Sequence, residues 1–121
     1  VRSRLTKLAT ADIDVLLRQT DRNFGARQFE IYVGIIDDGV ALIASDPLRP
    51  SSQDRSQIRP GVRSFHLERV RNRRRSATHV IYYTISATGE GEVVVLRVLH
   101  EAMEPKRRLA SALRADKNDV Q

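Results

Sequence analysis

Cysteine is absent from the 121 residues, which excludes disulfide scaffolds, thiol catalysis and cysteine-ligated zinc. Long hydrophobic runs are absent as well. The longest, Val40 to Ala44, falls far short of the about 20 apolar residues a membrane helix needs, so no membrane contact is expected. The opening residues Val1-Arg2-Ser3-Arg4-Leu5 lead into no hydrophobic stretch, so no secretory signal is expected and the chain reads as cytoplasmic. Lysine is scarce: only Lys7, Lys106 and Lys117 stand among 21 basic residues, and the rest are arginine.

What is present suffices for a modest core. Apolar residues make up 40% and charged residues 30%, which predicts one domain over residues 1–114 followed by a polar tail over 115–121. The net charge of +6 is concentrated. Residues 1–58 and 76–121 are each balanced, whereas seven arginines face Glu68 alone in residues 59–75. Such a segment suits nucleic acid or an acidic protein, or else serves as a solvated loop. Arginine favours recognition, because guanidinium pairs bidentately with carboxylates and phosphates.

The periodicity predicts α+β. A short edge strand in residues 2–8 precedes a helix capped by Thr10, with Asp12 and Asp14 in the first turn and Ile13, Leu16, Leu17 and Thr20 on one face. Gly25 allows a tight reversal. A second helix over residues 26–45 carries the seam Phe29, Val33, Ile36, Val40, Ile43, widened by Leu42, Ile35 and Tyr32, and Asp46-Pro47 stops it. Gly34 and Gly39 weaken that helix or admit a close neighbour. The two helices form an αα-hairpin. Residues 47–54 read as a surface loop, residues from Gly61 as a strand, and Arg69 to Ser76 as a basic loop. His79–Ile85 and Glu92–Leu99 read as an antiparallel hairpin around the turn Thr88-Gly89-Glu90-Gly91, and Lys106–Arg114 as a short closing helix begun by Pro105. The hairpin of helices is expected to pack on a small antiparallel sheet.

Several segments together resemble the RelE/ParE toxin superfamily, ParE-type toxins most of all. Asn23-Phe24-Gly25-Ala26-Arg27-Gln28-Phe29-Glu30-Ile31-Tyr32 resembles its helix–turn–helix junction. Arg59-Pro60-Gly61-Val62-Arg63 resembles the entry to its second strand, and His79 to Tyr83 its H-x-I-x-Y strand. Arg97-Val98-Leu99-His100-Glu101-Ala102-Met103-Glu104, followed by Arg107, Arg108 and Leu109, resembles the family's ending. The segment Arg69–Ser76 departs from it, being longer than the turn many members carry there. The resemblance implies the toxin of a type II toxin–antitoxin pair, held by a cognate ParD-like antitoxin that also binds operator DNA. ParE members poison DNA gyrase. RelE members cut messenger RNA on the ribosome, and a relative that only binds antitoxin is a third reading.

Metal-free RNA cleavage needs a base, an acid and a cation. Candidates are His100 and Glu101, Arg63 and Arg97, and Tyr82 or Tyr83, which point to opposite faces so that one is expected in the core and the other on the sheet surface. No tyrosine follows Tyr83, unlike RelE-type enzymes, so no catalytic set, cofactor or metal is expected; His66, His79 and His100 lack ligand spacing. Arg97, inside the most apolar strand, needs a backbone carbonyl, Glu101 or an antitoxin carboxylate. Arg59, Arg63, Arg73, Arg74, Arg75, Arg97 and His100 are therefore the residues expected to meet antitoxin or target.

Overall fold

A computed structural model describes residues 2–86 and 91–119, the last five of these by backbone alone. The chain runs β1 (Ser3–Leu5), α1 (Lys7–Phe24), α2 (Ala26–Ser45), β2 (Gln53–Asp54), β3 (Val62–His66), a 3-10 helix (Leu67–Val70), β4 (His79–Ile85), β5 (Val93–His100) and α3 (Lys106–Asp119). The sheet order is β1-β5-β4-β3-β2. All pairings are antiparallel except β1 with β5, which is parallel, so the sheet is mixed and not wholly antiparallel as expected. The two-residue β2 lies in the stretch expected to be loop; so short a polar strand shows no alternation to read. The turn residues 88–90 lie outside the described residues. No described helix is long and apolar enough to cross a membrane.

Helix α1 starts one turn earlier than expected. Thr6, not Thr10, is its cap: the buried hydroxyl accepts from Ala9 N–H at 3.1 Å and donates to Leu96 C=O at 2.9 Å, while Thr6 N–H donates to Val95 C=O at 3.1 Å. One residue thus turns strand into helix and ties both to β5.

Asp12, now in the second turn, faces β5. Its carboxylate accepts from Arg97 Nε at 2.6 Å, Arg97 Nη2 at 2.7 Å and Val98 N–H at 3.1 Å. Both side chains of this pair are only 14% exposed. Among the described residues Arg97 does not reach Glu101; besides Asp12 it donates to a backbone carbonyl, Arg108 C=O, at 3.4 Å.

Two cores flank the sheet. Ala9, Leu16, Tyr32, Ile35, Ile36 and Ile43 of the helices meet Phe65, Ile81, Tyr83, Val93, Val95 and Val98 on one face. On the other, Leu109 and Ala112 of α3 cover Val62, Val80, Tyr82, Val94, Leu96 and Leu99. Tyr82 and Tyr83 do point oppositely, but both are buried, because α3 shields the face expected to be open. That helix runs to Asp119, past the Arg114 expected as its end.

The buried line of α2 is Tyr32, Ile35, Ile36, Gly39, Ile43, so Phe29, Val33 and Val40 sit at its margin and not on its seam. The cause is Gly39. A Cβ there would lie 2.5 Å from Leu67 Cδ2, so the 3-10 helix presses directly on α2 backbone and rotates the helix about this contact. Gly34 faces open space.

Two outcomes test this arrangement. Asp12→Ala strands a buried guanidinium and an edge amide, and should cost roughly 3–5 kcal/mol in urea unfolding; adding Arg97→Met should recover part of the loss. Ile36→Asp should abolish the cooperative melt, whereas Val33→Asp should lower the midpoint only modestly.

Candidate functional site

The sheet register builds the site's floor. His79 opens β4 and pairs with His100, which closes β5; their rings stand edge to face with centroids 5.4 Å apart. Tyr32 of α2 reaches down to them. Its hydroxyl accepts from Thr78 N–H at 3.2 Å and lies 2.8 Å from His79 Nδ1. With the Thr78 amide donating to it, the Tyr32 hydroxyl can donate its own proton to Nδ1 of a neutral His79 ring. Burial holds His79 at about 4, below its ordinary 6.5, and nearby His100 and His66 add to the effect. Burial likewise raises Tyr32 above its ordinary value.

A cleft of about 660 Å³ opens over this floor. Its walls are the tip of the helix hairpin, with Phe24 and Gln28, and the arginine-bearing loop, with Arg75. Phe24 ends α1 just before Gly25, whose φ of 90° makes the reversal, and is 73% exposed. The opposite wall is a compact turn: Asn72 and Arg75 take left-handed φ of 49° and 64°, and the Ser76 hydroxyl donates to Arg73 C=O at 2.7 Å. Of the segment expected to be loop, Arg69 and Val70 belong to the 3-10 helix, and Val70 packs on the core.

The expected site residues separate into groups. Arg73, Arg74 and Arg75 are exposed, and no described residue partners their side chains. His100 faces the same cleft as Arg75, its Nδ1 accepting from Ala102 N–H at 3.0 Å. Arg59 is exposed at the far side of the molecule, where with Ile58, Pro60, Lys106 and Arg107 it lines a second cleft of about 640 Å³. Two arginines are engaged inside the fold: Arg97 on Asp12, and Arg63 on the Ser52 hydroxyl at 2.7 Å. Glu101 turns away from His100 and pairs with His66 Nε2 at 2.6 Å. His66 borders a smaller pocket of about 210 Å³ on the other sheet face with Arg55, Ser64 and Arg69. Among the described residues no three His, Asp or Glu side chains are grouped to hold a metal.

The gathering of His79, His100, Tyr32 and Phe24 is not readable from spacing. Only the pairing of the start of β4 with the end of β5 could have signalled it.

The His79 environment sets a pH dependence. Its folded pKa lies below its unfolded one, so the unfolded chain binds more protons between them, and stability falls as pH drops. The groups acting on the ring are His100, His66, Glu101 and Asp12. The melting temperature should fall between pH 6.5 and about 4. His79→Asn, which keeps an acceptor for Tyr32, should flatten that part of the profile in thermal melts.

The family model described as the ParE toxin of the type II toxin–antitoxin system parDE matches residues 4–105. "Toxin ParE" of Escherichia coli is 30% identical over 110 residues, spanning 91% of this chain and 94% of its own length. "Toxin ParE1" of Mycobacterium tuberculosis is 29% identical over 105 residues, with 87% and 94% covered, and "Toxin ParE1" of Caulobacter vibrioides is 26% identical over 106, with 88% and 95% covered. The matched span takes in every element from β1 to β5, including the hairpin and both strands that carry the cleft floor, and the chain belongs to the ParE toxin family of type II toxin–antitoxin systems.

Proposed function

We propose that the chain is a growth-arresting toxin that acts in the cytoplasm by poisoning DNA gyrase and is neutralised by a cognate antitoxin. The family match over residues 4–105 carries this reading. The working unit is residues 1–114, and the protein acts by occupying its target, not by turning over a substrate.

Electrostatics supports a division of labour. Arg63 and Arg97 are held by Ser52 and Asp12, so their contribution to partners is indirect. The Arg59 cleft, with Lys106 and Arg107 outweighing Glu104 beside apolar Ile58 and Pro60, suits the acidic, part-apolar tail of an antitoxin. Operator DNA is reached through that antitoxin. Arg73, Arg74 and Arg75, together with His100, face the target from the other end.

One observation favours a second reading, a metal-independent endoribonuclease. The pocket around His66 joins two arginines, Arg55 and Arg69, to a histidine already bonded to Glu101, which is an acid–base pair beside cations.

Purified gyrase decides between the two. Added toxin should accumulate cleaved DNA and block supercoiling, and His66→Ala should leave this unchanged. Untouched gyrase together with mRNA cut on translating ribosomes would assign the ribonuclease, and growth unaffected by expression without antitoxin would leave a non-toxic antitoxin binder.

A further inference from the structure

The cleft between the hairpin tip and the arginine turn has a chemistry that capture by an acidic protein leaves unexplained. One wall ends in Phe24, the most exposed large hydrophobic side chain of the described residues at 73%. An aromatic ring held there gains nothing for the fold. It stands at the C-terminus of α1, fixed by the Gly25 reversal, beside the amide of Gln28. The facing wall supplies Arg75, with Arg73 and Arg74 in the same turn. Arg22 and Arg27 flank Phe24 in sequence, and none of these five arginine side chains has a partner among the described residues. Asp21 and Glu30 balance Arg22 and Arg27 at the tip, so the excess positive charge comes from Arg73, Arg74 and Arg75.

The floor narrows the choice of ligand. His79 is neutral at physiological pH, and Tyr32 is spent on it and on Thr78. A carboxylate lowered into the cleft would meet the uncharged His79 ring. A planar heterocycle would meet an aromatic face on Phe24, amide groups on Gln28, and edge-on imidazoles. Arginines at the rim and a stacking ring over a polar floor are what an unpaired nucleotide requires: phosphates outside, base inside.

We propose that this cleft binds a single-stranded nucleic-acid segment directly, one unpaired base stacking on Phe24 over the His79–His100 floor while the Arg73–Arg75 turn holds the flanking phosphates. The choice of DNA over RNA rests on the gyrase reading; the binding itself does not. The toxin thus contacts DNA with its own residues, apart from any contact made through an antitoxin.

The test is fluorescence anisotropy of the full chain with a labelled deoxythymidine 12-mer, the matching RNA and a duplex, across salt concentrations. Single-stranded DNA should bind more tightly than duplex. Phe24→Ala should weaken it at least about fivefold, since base–aromatic stacking is lost, with an unchanged melting temperature. Replacing Arg73, Arg74 and Arg75 by serine should lower the slope of log affinity against log salt by up to about 2, at about 0.7 per phosphate contact. Arg59→Ser, at the other end, should change neither. Equal binding of duplex and single strand with no effect of Phe24→Ala overturns the base site. A clear preference for RNA overturns the assignment to DNA. Direct binding of a labelled acidic peptide that survives Phe24→Ala but not the arginine substitutions, with no oligonucleotide binding, assigns the surface to a protein instead. Gyrase is absent from this assay, so failure here and failure of the gyrase reading are distinguishable.

Discussion

Asp12 accepts three hydrogen bonds from two consecutive residues of β5, and the placement of the helical layer follows from them. Beyond Leu5, β1 no longer pairs with β5, so the outer edge of the sheet would show bare amides and carbonyls. Side chains of α1 take over that edge: Thr6 satisfies Leu96 C=O, and Asp12 satisfies Val98 N–H and the Arg97 guanidinium. The helix is thereby fixed in height and rotation against the strand. The hairpin turn at Gly25, the position of Phe24 and the reach of Tyr32 to His79 all inherit that setting.

The ion pair is costly to desolvate and poor as a source of net stability, but it is specific. A guanidinium gripped at two nitrogens, with a backbone amide on the same carboxylate, permits one orientation of α1. A hydrophobic pair would allow the helix to slide. The pair also ties up the Arg97 guanidinium at the edge of a cleft of about 440 Å³ that it lines with Arg107 and Arg108, while among the described residues unpaired arginines stand around Arg59 and around Arg73–Arg75.

Much of the framework was legible in the sequence, for identifiable reasons. The limits of α2 match because Gly25 and Asp46-Pro47 are strong local signals. The rotation of α2 was misread because apolar counting centres the seam on Phe29 and Val33, whereas the buried line runs through Tyr32, Ile35 and Ile36; the close neighbour that Gly39 admits is Leu67. The start of α1 was misread because Thr10, Asp12 and Asp14 imitate a capped first turn, while the carboxylate of Asp12 serves a strand 85 residues away. Long-range pairings of this kind, like the meeting of His79 with His100, leave no trace in spacing. The family resemblance, carried by Arg59-Pro60-Gly61 and by the Arg97–Glu104 ending, was legible because those motifs are contiguous.

The register of β5 shifts between its two halves. Tyr82 pairs with Arg97 and Tyr83 with Val95, which makes Leu96 supernumerary. Before it, Val93 and Val95 face the hairpin; after it, Val98 does, with His100 beyond. The odd–even parity of the strand is inverted at that point. Were Leu96 counted into a regular alternation, Val98 and His100 would turn to the α3 side; the bulge absorbs the extra residue and keeps both on the hairpin side. The cleft therefore owes its second imidazole to one irregular step in the ladder.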